Sequence, residues 1–108
     1  CDDIFELLAA FQPHGLADGI ALDEMGAHAG EFETSVALAI DPGMITAPLP
    51  PGTRIDLAQQ PDLFDSDISP HAPDGVVGDP RRAEAGRGGR YLDAIADLVV
   101  RTARAAGA

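Results

Sequence analysis

The residues of this chain best suited to chemistry lie together in His28-Ala29-Gly30-Glu31-Phe32-Glu33-Thr34-Ser35. The stretch holds an imidazole, two carboxylates, two hydroxyls and a glycine in eight positions. Histidine titrates near neutral pH and is the usual proton carrier in catalysis. Gly30 lets the backbone turn without a Cβ clash. The apolar run Val36 to Ile40 follows at once, so the order reads as a polar loop entering a buried helix. Glu31 and Glu33 then fall in the first helical turn, where carboxylates suit the exposed N–H groups and the dipole. His28 stands just ahead, free to project into a cleft. The same pattern also describes an ordinary polar helix entry, and local chemistry leaves both readings open.

The elements that must position this stretch can be read on either side. Ile4, Leu7, Leu8 and Phe11 recur at helical spacing and predict a helix over 3–12. Asp3, with Glu6 three residues on, resembles a capping box. Pro13-His14-Gly15 supplies its stop, with His14 placed to favour the dipole. The alternation Ile20-Ala21-Leu22 predicts a short buried strand at 19–23. Such a strand delivers Asp23, Glu24 and His28 to its C-terminal edge, where open α/β sheets form their sites. Residues 31–40 make the second helix, with Phe32, Val36, Ala39 and Ile40 on its buried side and Asp41-Pro42-Gly43 as its stop. Residues 46–81 form a long connection broken by Pro48, Pro50 and Pro51, and His71 lies there as a rigid loop residue near two prolines. Gly75 to Pro80 reads as a strand end and tight turn. The strongest helix covers 83–106, with an apolar stripe of Tyr91, Leu92, Ile95, Leu98, Val99 and Thr102, and with Arg101 and Arg104 near its C-terminus.

Composition bounds the function. The 108 residues carry a net charge of −11 and no lysine. Residues 1–53 hold nine Asp or Glu and no basic residue other than histidine; residues 54–108 hold nine acids and all seven Arg. Nucleic-acid binding wants clustered basic side chains and is excluded as an expectation; a solvated acidic surface is the simplest cause. No apolar run approaches the ~20 residues of a membrane span. A single cysteine, Cys1, gives no internal disulfide and no multi-cysteine zinc site. No signal peptide is visible, and a cytoplasmic setting is the default. The three histidines show no HxH, HExxH or ExxH spacing, so a self-contained metal site would need long-range convergence. Twelve Gly and nine Pro leave few residues for regular structure, and the chain starts at Cys1 rather than Met. The expectation is one domain over 1–108 that forms part of a larger α/β domain.

The stretch His28 to Ser35, followed by an apolar helix and Pro42, resembles the H-[AG]-G-x-x-E-T-S signature of the creatininase (creatinine amidohydrolase) family. Gly75-Val76-Val77-Gly78-Asp79-Pro80 resembles the G-V-x-G-D-P turn downstream in many members, and Ala83 to Gly89 resembles the segment leading into the last helix. The blocks cover most of residues 20–105, and the G-V-x-G-D-P turn is closer to the mycofactocin-type peptidase branch and related deformylases than to creatininase itself.

The resemblance implies the C-terminal part of a three-layer αβα sandwich and a metal-dependent amidohydrolase. Amide hydrolysis needs an activated water, stabilisation of the oxyanion and a proton for the leaving nitrogen. Metal ions supply the first two and a histidine the third. The family's metal ligands lie in its N-terminal half, so a divalent ion such as Zn, Mn or Fe is expected there, and no metal ligand is assigned in this chain. His28 matches the proton-transfer histidine and Glu33 the Glu of E-T-S, which orients His28 or holds the helix entry. Glu24 and Gly30 are the implied substrate-facing positions. Glu24 falls where creatininase carries a substrate-stacking Trp, and the chain has no Trp, which turns the expected substrate from creatinine towards another cyclic amide, a formamide or a short peptide. Expected partners are the missing N-terminal portion or a companion chain, without which the chain is inactive, and further copies in a homo-oligomer. The reading from a different class is a non-catalytic acidic assembly module.

Overall fold

The computed structural model describes residues 3–107, which leaves Cys1 outside the described part. The Asp3 carboxylate accepts the Phe5 N–H at 2.9 Å and starts helix α1, Ile4–Ala17. The helix runs through Pro13 instead of ending there. A helical proline donates no hydrogen bond to the carbonyl four residues back, here that of Ala9; Ala9 is exposed, and water can take that carbonyl. Gly19 follows with φ 79° and reverses the chain.

The expected strand at 19–23 does not form. Leu22–Met25 makes a single helical turn, α2, whose carboxylate Glu24 accepts the Ala21 N–H at 3.4 Å. Helix α3, Glu31–Ile40, matches the span read from the sequence, and the Asp41 carboxylate ends it by accepting the Gly43 N–H at 3.0 Å. A short 3-10 turn, Pro42–Met44, follows α3, and two more, Leu63–Asp65 and Pro80–Arg82, lie in and at the end of the long connection. Helix α4, Ala85–Ala105, closes the chain.

Two small apolar cores hold these elements. Leu8, Phe11, Ile20, Met25 and Tyr91 join α1, α2 and α4. There Phe11 stacks on Phe32 with centroids 3.6 Å apart, and Tyr91 meets both rings edge-on at 5.5 and 5.3 Å. The second core gathers Ile55, Leu63, Ala72 and Val77 from the long connection.

The expected three-layer αβα sandwich is not what forms. Among the described residues there is no strand, only two isolated bridges, His28 to Val77 antiparallel and Thr53 to Val77 parallel. The physical reason lies in the segments available. Ile20-Ala21-Leu22 is three residues of alternation beside Gly19 and Gly26, shorter than a typical strand, and the prolines and turns of 46–81 remove ladder donors and extended backbone. What remains is helices packed around one irregular crossing. Among the described residues, no helix is long and apolar enough to cross a membrane.

Candidate functional site

His28 is positioned by that crossing. Ala27 and His28 donate their N–H groups to the Val77 carbonyl at 2.9 and 3.3 Å, and Val77 returns its N–H to the His28 carbonyl at 2.8 Å. Thr53 flanks the other side of the same segment: it donates to the Val76 carbonyl at 3.2 Å and accepts from Gly78 at 2.8 Å. Three glycines let the backbones approach this closely. A Cβ on Gly26 would lie 1.9 Å from the Val77 oxygen, on Gly30 2.5 Å from the Met25 oxygen, and on Gly78 2.8 Å from the Gly30 Cα. Gly26 and Gly78 also take φ of 70° and 138°, which side chains resist.

The imidazole of His28 is 59% exposed, and its Nδ1 lies 4.0 Å from Glu33 Oε2. That carboxylate is itself held by the Ala29 N–H in a short contact. Ala29 sits at φ 55°, a left-handed conformation rare for residues with a Cβ, between His28 and the start of α3. At 4.0 Å the carboxylate faces Nδ1 across a gap longer than a hydrogen bond. Thr34 Oγ1 donates to the Ala29 carbonyl at 3.5 Å, at the long end of hydrogen-bonding distance. Ser35 Oγ donates to Glu31 at 2.6 Å and accepts the Glu84 N–H at 3.0 Å, which ties α3 to the entry of α4.

The two carboxylates of the motif thus have opposite fates. Glu33 is half-exposed at the site; Glu31 is fully buried. Glu31 receives Arg87 Nε at 2.6 Å, Tyr91 Oη at 2.7 Å and Ser35 Oγ. Arg87 also reaches Asp18 at 3.1 Å and the Arg82 carbonyl at 2.6 Å. Burial works against the charge on Arg87, yet the bonds to Glu31 and Asp18 outweigh it and keep the guanidinium protonated well beyond its ordinary range. Burial, and then the bond to Glu31, push the Tyr91 phenol far up. Every buried side-chain polar atom among the described residues has a partner.

Glu24 does not face an open cleft. Its side chain is buried and takes both Nε and Nη2 of Arg82 at 2.6 Å, which holds its carboxyl below the usual range. Its backbone carbonyl accepts the Asp79 N–H at 3.0 Å. Gly30 is likewise buried and packs backbone on backbone. Among the described residues, no group of three or more His, Cys, Asp or Glu side chains comes close enough to hold a metal ion. His28 and Glu33 form a pair, not a coordination set.

Sequence reasoning passed over Glu31, Ser35, Arg82, Arg87 and the hydroxyl of Tyr91 as an interacting set. A signal existed: Glu31 and Ser35, and likewise Arg87 and Tyr91, are four apart and so share a helix face. Gly88 on the same turn packs so tightly that a Cβ would meet the Ser35 oxygen at 1.9 Å.

Comparison with known proteins adds to the geometry. The family model described as "Creatininase: Creatinine amidohydrolase" matches residues 5–103. The chain is similar to a protein of Mycobacterium ulcerans (strain Agy99) named "Mycofactocin precursor peptide peptidase", 41% identical over 81 residues, covering 72% of this chain and 32% of that protein. The chain therefore spans about a third of the length of the curated relative it matches. No solved structure matches.

Proposed function

This chain belongs to the creatininase family, with its similarity running to the mycofactocin-type branch, and on that premise we propose that it carries the proton-transfer side of an amidohydrolase. The substrate class is a terminal or non-standard C–N amide, in a short peptide or small amide. The observation that supports this best is the exposed His28 imidazole, fixed through its backbone on Val77, with the anchored Glu33 carboxylate 4.0 Å from Nδ1.

The chemistry follows from that arrangement. Collapse of a tetrahedral adduct expels an amine only if the nitrogen is protonated. With Glu33 facing Nδ1, the Nε2–H of the imidazolium is the proton to be given, and the neutral ring then accepts one for the next turnover. Glu33 is the positioning residue for this exchange. Glu24 and Gly30, expected to face the substrate, act on it indirectly in this reading. They hold the crossing that aims His28.

Activation of the attacking water is assigned elsewhere. The described residues do not fit a resident metal, since no cluster of three or more ligating side chains is present. A divalent ion, Zn, Mn or Fe, would belong with the larger part of the family domain, in the same protein or a companion chain, and homo-oligomer formation remains part of this proposal.

A second reading, a non-catalytic assembly module, draws on one observation. Phe5, Leu16 and Leu22 are about half exposed and line an apolar groove of about 610 Å³ beside α1 and α2.

The test is His28→Gln in the full-length protein. Loss of about 10²–10⁴-fold in kcat, with unchanged metal content and unchanged thermal midpoint, supports proton transfer. Loss of metal together with His28 makes it a ligand and overturns the assignment. No amidase activity in the unmodified protein leaves the assembly reading.

A further inference from the structure

Five of the seven arginines are committed to carboxylates of this chain: Arg54 to Asp23, Arg81 to Asp79, Arg82 to Glu24, Arg87 to Glu31 and Arg90 to Asp18. Arg101 and Arg104 are the exceptions. Among the described residues neither has a carboxylate partner, and Arg101 reaches only the Asp97 carbonyl, at 3.4 Å. Both line one groove of about 520 Å³ between α1 and α4, together with Asp93 and Asp97 from α4 and Ala10 and His14 from α1. Asp93 and Asp97 likewise receive no side-chain donor among the described residues. All four charged side chains are exposed.

The helix sets these charges in order. At about 100° per residue, positions 93, 97, 101 and 104 fall within about 80° of one another, on the side of α4 away from the buried Tyr91 and Leu98. The acids stand towards the N-terminus of the stripe and the arginines towards its C-terminus. Asp97 and Arg101 are one turn apart, a spacing at which side chains can pair, yet they form no ion pair.

A ligand of a single sign would meet its own charge at one end of this groove. A fitting partner presents the reverse order, and an antiparallel copy of α4 does so. Asp93 and Arg104 lie about equally far on either side of Val99, as do Asp97 and Arg101. A two-fold axis there sets Asp93 level with the partner's Arg104 and Asp97 level with the partner's Arg101, each pair occurring twice by symmetry. Val100, 45% exposed, lines the same groove and adds an apolar contact.

We propose that this face of α4, flanked by α1, is a two-fold interface with a second copy of this chain. The inference rests on the homo-oligomer in the reading above and gives it a face. Its test is sedimentation velocity on the full-length protein at up to roughly 1 mM, the reach of a weak interface. The unmodified protein should hold an even number of copies. Asp93→Arg with Asp97→Arg, and separately Arg101→Asp with Arg104→Asp, give the stripe one sign. Each pair of changes should weaken association at least about tenfold and halve the mass. Mixing the two variants should restore the full mass, with native mass spectrometry finding one copy of each at every contact. Arg101→Gln with Arg104→Gln removes attraction without adding repulsion and should fall between, and raising salt from roughly 0.05 to 0.5 M should weaken the unmodified contact. A monomer over the whole range overturns the homo-oligomer itself. An odd number of copies, a mass that neither reversal changes, or variants that stay apart on mixing overturn this face alone. If circular dichroism shows that a reversal disturbs the fold, the Gln variant and the salt series decide instead, and no weakening in either overturns the proposal.

Discussion

Removing Arg87 tests what holds α3 against α4. The side chain is 5% exposed and its partner Glu31 is 0% exposed. In Arg87→Met the carboxylate keeps Ser35 and Tyr91 as donors but loses its counter-charge. Breaking a buried pair by deleting one member costs about 3–5 kcal/mol, because the other charge stays buried without compensation. A domain of this size is stable by roughly 5–15 kcal/mol in total, so the single change removes a large share. With a urea slope of about 1–3 kcal/mol per molar, the unfolding midpoint should fall by at least about 1 M. The double variant Arg87→Met with Glu31→Gln separates charge from packing. Ser35 and Tyr91 donate to different oxygens of Glu31. The introduced amide keeps one of them as donor to its oxygen and turns its NH2 to the other hydroxyl, which can accept. It carries no charge, so most of the loss should return. Urea unfolding followed by circular dichroism gives all three midpoints. A single variant that loses under about 1 kcal/mol, or a double variant no better than the single, refutes the argument that uncompensated buried charge dominates here.

Other perturbations follow from the same contacts. Gly88→Ala places a Cβ 1.9 Å from the Ser35 oxygen; forcing the two helices apart should cost at least about 1–3 kcal/mol, visible as a lower midpoint in a thermal melt. Gly26→Ala combines φ 70° with a Cβ 1.9 Å from the Val77 oxygen and should displace His28, which the loss of its imidazole NMR shifts from their original positions would report. Glu24 has its carboxyl lowered below the ordinary 4.5, chiefly by Arg82. Its contribution is therefore complete above that value and is lost as pH falls through the lower folded value. Stability of Arg82→Gln should trail the parent at neutral pH and converge with it in acid, as urea midpoints at pH 7 and pH 3 would show; a constant gap would contradict the assignment.

How much of this was legible depended on the kind of pattern involved. Helices α3 and α4 were readable because their apolar residues recur at helical spacing and, for α3, because Asp41-Pro42-Gly43 punctuates it. The Asp3 cap was readable for the same local reason. Pro13 misled, since a proline at the exposed side of a helix near its end leaves a carbonyl that water can satisfy. The expected strand at 19–23 failed because three alternating residues fit one helical turn as well as a strand. The sandwich failed with it: a sheet is a set of long-range pairings, and among the described residues only single bridges at Val77 form.

The site shows the same division more sharply in Glu31 and Glu33. From the sequence both are acidic residues in a first turn, and the dipole argument treats them alike. Two residues on a helix are about 200° apart, so they must face opposite ways. One therefore turns inward, and a buried carboxylate requires donors. Ser35, one turn on, is one of them; the other two, Arg87 and Tyr91, lie more than fifty residues away, and no local window contains them. The inward Glu31 ties α3 to α4 and so fixes the helix whose first turn carries Glu33. Glu33 stands beside His28 and takes the Ala29 N–H at the entry of that helix. Glu31 is committed to structure, while Glu33 stays half-exposed, 4.0 Å from the imidazole.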